Sequence, residues 1–281
     1  MPPKNSIKEY EAGGYYHIYN RGVEKRIIFE DDADYKKFIA FLRYYLKPVN
    51  LQGRTLKDEN NLTIPPSRRN NNFADKISLL SYCLMPNHFH LLVRQEDDRT
   101  ISSFMQSLIT KYVIYFNKRH HRVGGLFQGK YKTVHVSSEE QLKYLSKYIH
   151  RNPLPDHPTR SDIEGFANYK YSSYGNYLGL FTQTWVKPDE IIYSFSKTNP
   201  YLSYKSFVEE AGDISLIYRE MIDLDYWPTR SDLEGRVTWP SRTWTSRRWG
   251  YWRGRYHKGQ VSRRRRTHRA GLPQIPALAW S

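Results

Sequence analysis

Short β-patterned runs alternate along this chain with longer helical ones. Residues 15–20 (YYHIYN) are aromatic and β-branched, and the turn signal Arg21-Gly22 closes them, so they predict a strand. Over 31–46 the apolar positions Phe38, Ile39, Phe41 and Leu42 recur at helical spacing, with Asp31 or Asp32 placed to cap the first turn. Residues 77–85 predict a second strand and 88–93 a third, divided by Pro86-Asn87. A helix is expected over 100–119, with Phe104, Leu108, Val113 and Phe116 among its apolar positions. Gly124-Gly125 and Gly129 mark 120–129 as a turn region, and 131–136 then alternates as a fourth strand. Ser138 and Gln141 form a capping box before a helix that runs to about Arg151. Asn152-Pro153 ends that helix, because the residue before a proline disfavours helical geometry. A tyrosine- and serine-rich loop follows over 168–177, then helical pieces over 187–196 and 204–210 and a weaker one over 214–223.

This order predicts an α+β layer, an antiparallel sheet with helices on one face. Residues 1–180 read as one domain, with the polar, aperiodic stretch 47–76 as a loop insertion. Residues 181–225 read as a helical extension, and 226–281 as an irregular tail.

Charge sharpens that division. The formal net charge is +16 over 281 residues. Residues 226–281 hold 13 Lys and Arg against 2 acids, a net +11, so the first 225 residues carry only +5. Six of the seven tryptophans and the run Arg263-Arg264-Arg265-Arg266 also fall in the tail. No helical or strand period is sustained there. It reads as a disordered arm that grips nucleic acid, a small tryptophan-packed element or a frame-shifted stretch; the disordered or spurious reading is preferred. The segment PTRSDLEG at 228–235 echoes PTRSDIEG at 158–165, too briefly to be an architectural repeat.

Basic charge together with 24 tyrosines suits a nucleic-acid partner, since cations neutralise phosphates and rings stack on unpaired bases. No run approaches the roughly 18 apolar residues that a membrane span needs. The N-terminal residues lack the apolar core of a secretory signal. The single cysteine, Cys83, allows no internal disulfide and fits a reducing cytoplasm. Any bound metal must then be held by His, Asp, Glu, Asn or Gln.

Two clusters could carry chemistry. In a strand, His88 and His90 share one face while Phe89 points into the other layer. Two such imidazoles can bind a divalent ion, though an isolated His-x-His is more often a pair of polar strand residues. Tyr148 and Asn152, four apart near a helix end, share a face. A phenol can act as a nucleophile and an amide oxygen can complete a hard-metal site. A core tyrosine and a helix-ending asparagine are the plainer reading. By spacing alone Tyr144 is an equally good choice.

The combination is more specific. MPNHFHLLV at 85–93 resembles the His-hydrophobic-His strand of the HUH single-tyrosine transposases. YIHRNP at 148–153 resembles their nucleophile helix, especially in the branch called REP-associated tyrosine transposases. HIYNRG at 17–22, YFNKRH and GGLFQGKYK within 115–132, and YSSY at 171–174 match that branch as well. The resemblance covers residues 10–225.

It implies a ferredoxin-like layer with the site on the sheet face, beneath the helix of Tyr148. His88, His90 and Asn152 would hold Mg²⁺ or Mn²⁺, and Tyr148 would attack DNA to give a 5′-phosphotyrosine and a free 3′-OH. Single-stranded or hairpin DNA is the implied substrate, in a bacterial cytoplasm and on the nucleoid when bound. The loops 120–132 and 168–177 would grip that DNA, with Arg21, Arg119, Arg122, Lys130 and Lys132 as candidate contacts. A homodimer is compatible with the resemblance. A domesticated hairpin-binding protein and a phosphoesterase using activated water are the competing functions. The insertion at 47–76 is longer than the family usually shows.

Overall fold

The computed structural model describes residues 9–48, 72–155, 158–195 and 197–210. Most of the expected insertion, the weaker helix expected over 214–223 and the whole tail lie outside the described residues.

Four strands, β1 (Tyr15–Arg21), β2 (Ile77–Met85), β3 (His88–Gln95) and β4 (Lys132–Val136), form one sheet in the order β2-β3-β1-β4. Every neighbouring pair is antiparallel. Helix α1 (Asp32–Leu46) follows β1, and α2 (Thr100–Arg119) links β3 to β4. That connectivity is the ferredoxin-like arrangement, an α+β fold.

Asp31 starts α1 by accepting from the amides of Ala33 and Asp34. Phe38 and Leu42 from α1 and Phe104, Leu108 and Tyr112 from α2 meet Ile18, Phe89, Leu91 and Val93 of the sheet in one fully buried core. A register shift between Leu79 and Ser81 in β2 changes which side chains face this core. Leu79 points into it, and so do Tyr82 and Leu84, whose parity is opposite.

The other face of the sheet is covered too. Helix α3 (Glu139–Arg151) is capped by Ser138, which accepts from the amide of Gln141. Its Leu142, Leu145 and Ile149 pack with Cys83, Met85, Leu92 and Val136 of the strands. Beyond it come α4 (Arg160–Phe166), α5 (Tyr174–Tyr177), α6 (Asp189–Ile192) and α7 (Pro200–Glu209). Ile191, Ile192, Tyr204 and Val208 from the last two complete the second core. Sequence pattern alone had not indicated α4. Its signal is a capping box in which Thr159 and Asp162 satisfy each other's amides, and it falls within PTRSDIEG. The turn α5 lies inside the expected 168–177 loop.

Candidate active site

The site lies on the sheet face that α3 crosses. Phe89 is buried among the α1 and α2 side chains, so His88 and His90 project to the opposite face. Their ring centroids are 5.3 Å apart and the rings are perpendicular. Register brings β1 into the same place: Arg21 pairs with His88 and Tyr19 with His90. His17, two residues before Tyr19, stacks on His90 with centroids 5.1 Å apart and planes 11° apart.

Helix α3 delivers the remaining groups. The Tyr148 ring stands edge-on to His90, centroid to centroid 5.3 Å, and 6.3 Å from His17. Asn152, which ends the helix, has its Oδ1 3.1 Å from His88 Nε2. The structure thus brings Tyr148, His88, His90 and Asn152 into one cluster. Tyr144, equivalent by spacing, packs instead on Phe207 of α7 at 5.3 Å.

Burial dictates the charge state of the imidazoles. His88 is pushed down to about 4, chiefly by desolvation and further by the Arg21 guanidinium, against the opposing effect of its bond to Asn152. His90 lies well below the usual histidine range, again through desolvation, with His17 and His88 adding to it. Both rings are therefore neutral at pH 7, each with one N–H and one bare nitrogen.

For His88 the hydrogen-bond pattern favours one tautomer. Asn87 Nδ2 donates to the Lys25 carbonyl at 3.4 Å, which turns Asn87 Oδ1 toward His88 Nδ1 at 2.6 Å. An amide oxygen only accepts, so this orientation of Asn87 favours the proton on Nδ1. The Nε2 lone pair then faces Asn152 Oδ1, a second lone-pair donor. A cation between them resolves that opposition; without one, turning the Asn152 amide brings its nitrogen to the same point. Imidazole nitrogen with amide oxygen is a donor set compatible with Mn²⁺ and tolerable for Mg²⁺. Among the described residues no cluster of three or more His, Cys, Asp and Glu could hold a metal.

The expected DNA contacts fall in different settings. Arg21 is buried on the site face, and its Nε donates to Gln128 Oε1 at 2.5 Å. Lys132 is buried opposite Tyr19 and so shares that face. Arg119 is engaged at the C-terminal end of α2, where it pairs with Asp31 at 2.6 Å and with the fully buried Asp34 at 2.5 Å. Arg122 donates to Asn117 Oδ1 at 3.4 Å and lies over the Phe116 ring. Lys130 is exposed.

Two site residues were not picked out as such from the sequence. His17 and Asn87 touch His90 and His88, yet only strand register and the shape of the Pro86-Asn87 turn reveal it. The signal for His17 was present in His17-x-Tyr19, the same alternation that singled out His88 and His90.

The fold and the cluster can be set beside known proteins. Residues 68–152 match the family model described as "Transposase IS200 like". Among solved structures, a REP-associated tyrosine transposase bound to a REP hairpin aligns at 11% identity and a TM-score of 0.41, covering 64% of this chain and 89% of its own. A protein described provisionally as a transposase, from Deinococcus radiodurans, aligns at 14% identity and a TM-score of 0.30, covering 57% of this chain and 99% of its own. Both likenesses are distant. No curated protein matches the chain in sequence. No helix among the described residues is long and apolar enough to cross a membrane.

Proposed function

We propose that the protein cuts and rejoins single-stranded or hairpin DNA through a covalent tyrosine intermediate. One observation carries the reading: a single helix brings both Tyr148 and Asn152 to the two histidines of one strand. His88 Nε2, a ring nitrogen of His90 and Asn152 Oδ1 are the groups that would hold a divalent ion. Such an ion, when bound, offsets the charge that builds on a scissile phosphate.

Tyr148 supplies the attacking oxygen. That oxygen bonds to phosphorus, the bond from phosphorus to the 3′ oxygen breaks, the phenol loses its proton and the departing oxygen gains one. The phosphotyrosine keeps the energy of the original diester, so a second 3′-OH can displace the tyrosine and join strands without ATP. A phenol with a free pKa near 10 is a weak nucleophile at pH 7, so orientation must supply much of the rate. Burial and edge-on packing against His90 restrict the orientation of the Tyr148 ring. Arg21 and Lys132, basic residues on the same face, would meet the phosphate. Lys130, Arg122 and Arg119 are assigned to the flanking DNA, with the Arg119 ion pairs bracing the end of α2 from which the 120–129 loop departs.

The test is a denaturing gel of the protein incubated with labelled hairpin DNA and Mn²⁺. The expected result is a covalent adduct that chelation of the metal or Tyr148→Phe abolishes, while DNA binding persists. Binding without any adduct would indicate a DNA-binding protein. Cleavage that survives Tyr148→Phe would indicate hydrolysis by water.

A further inference from the structure

We propose that Asn87 and His17 are positioning residues, which fix the ring nitrogen that His88 and His90 each turn toward the site. This rests on the reading of the site given above, but it concerns residues which that reading does not use.

The Asn87 chain of contacts starts in the backbone. Glu24 and Lys25 sit in the left-handed region, at φ 54 and 57, a conformation that costs a non-glycine residue energy. Their turn is closed by Lys25 N donating to the Gly22 carbonyl at 3.1 Å, and Gly22 N donates to the Asn87 carbonyl at 2.8 Å. A side chain at Gly22 would not fit, since a Cβ there would lie 2.2 Å from the Arg26 carbonyl oxygen. The turn thus presents the Lys25 carbonyl to Asn87 Nδ2. Asn87, 1% exposed, is left with its Oδ1 on His88 Nδ1.

His17 does the corresponding work for His90. Both rings are fully buried, and His17 Nε2 lies 2.8 Å from His90 Nδ1 with the rings nearly parallel. A proton on His90 Nδ1, accepted by His17 Nε2, leaves Nε2 as the bare nitrogen of His90. Each histidine then has its Nδ1 occupied by an acceptor behind it and its Nε2 lone pair turned toward the site. Partners of this kind fix the tautomer and ring orientation of ligating histidines, and losing one typically lowers metal affinity 10- to 100-fold.

The decisive experiment reads tautomers directly. Metal-free protein labelled with ¹⁵N-histidine is measured by long-range ¹H–¹⁵N correlation at pH 7.5. The expected wild-type result is a proton on Nδ1 of both His88 and His90. Asn87→Ala should release His88 from that tautomer, and Asn87→Asp, whose carboxylate still accepts, should keep it. His17→Phe should release His90, and His17→Gln should hold it. Mn²⁺ affinity, followed by electron paramagnetic resonance, should fall about tenfold or more in Asn87→Ala and His17→Phe and recover in Asn87→Asp and His17→Gln.

A proton on Nε2 of either ring in the wild type would overturn the proposal without any variant having to fold. So would unchanged tautomers in Asn87→Ala and His17→Phe. The expected tautomers with no Tyr148 adduct under any divalent metal would sink the proposed reaction and leave the positioning roles standing. Adduct formation with tautomers indifferent to both residues would do the reverse.

Discussion

At the scale of single residues, Gly22 is a tightly constrained backbone position near the site. Replacing it with alanine forces a carbon against the Arg26 carbonyl, so the 23–25 turn must shift. Gly22→Ala should lower stability by roughly 1–3 kcal/mol, as overpacking does elsewhere, read as a fall in the urea midpoint at constant slope. An unchanged midpoint would mean that the turn is not held as described. His150 gives a second prediction. It is fully buried, with Nδ1 on Tyr204 Oη at 2.7 Å and Nε2 on Ser173 Oγ at 2.8 Å, and burial pushes it down to about 3. Its folded pKa lies below its ordinary value of 6.5, so the fold accepts the neutral ring. Stability is fully present above pH 6.5 and is lost as pH falls from there toward about 3, by up to about 1.4 kcal/mol per pH unit. Melting temperatures at pH 7.5 and 5.0 should show a larger drop for wild type than for His150→Gln. Equal drops would assign the acid sensitivity to other groups, of which His88 and His90 carry the same sign.

At the scale of elements, α3 is fastened at several points. His150 ties it to Ser173 beside α5 and to Tyr204 of α7, Tyr204 reaches back to Ser146 at 3.0 Å, and Arg151 donates to the Val208 carbonyl at 2.7 Å. Tyr204→Phe removes one hydroxyl and leaves His150 Nδ1 and Ser146 Oγ short of a partner. That should cost about 1–3 kcal/mol in thermal or urea unfolding, whereas Tyr144→Phe, which keeps its ring contact with Phe207, should be close to neutral. Comparable effects in the two variants would show that the buried network does not anchor the helix. Much of this scale was legible beforehand. The four strands, α1, α2 and α3 each carry their own period and caps, and all were expected within a residue or two. Short elements were not: α4 is seven residues of mixed polarity whose only signal is a cap, and α5 is a single turn inside a tyrosine-rich loop. Which face α3 covers was beyond reach of periodicity, because the face is set by what the strands leave exposed on each side.

At the scale of the whole molecule, the charge of the chain is divided unevenly. The 226–281 tail carries a net +11, against +5 for the rest. A chain ending at residue 225 should therefore bind non-specific DNA more weakly and with a shallower dependence on salt, yet keep metal-dependent cleavage at low salt. Loss of cleavage at low salt would make the tail part of the reaction apparatus. The candidate site was legible to a similar degree as the fold. His88, His90, Tyr148 and Asn152 are spread over 65 positions, and it was their joint motif, not either spacing alone, that singled them out. His17 and Asn87 escaped because their importance lies in hydrogen bonds behind the histidines, which no spacing rule encodes. Among the basic residues, composition could not separate Arg21, buried beside His88, from Arg119, bound to two aspartates.

The face that holds His88, His90 and Asn152 offers neutral donors, and it is shared by the basic residues Arg21 and Lys132. A dication held by those neutral donors gains no compensating charge from them, and a phosphate arriving with it would supply that charge. Ion and nucleic acid should accordingly recruit each other: Mn²⁺ should bind more tightly in the presence of an oligonucleotide than in its absence, and the oligonucleotide should gain by the same factor. On the proposed reaction, such a site would stay idle until the strand it is to cut arrives.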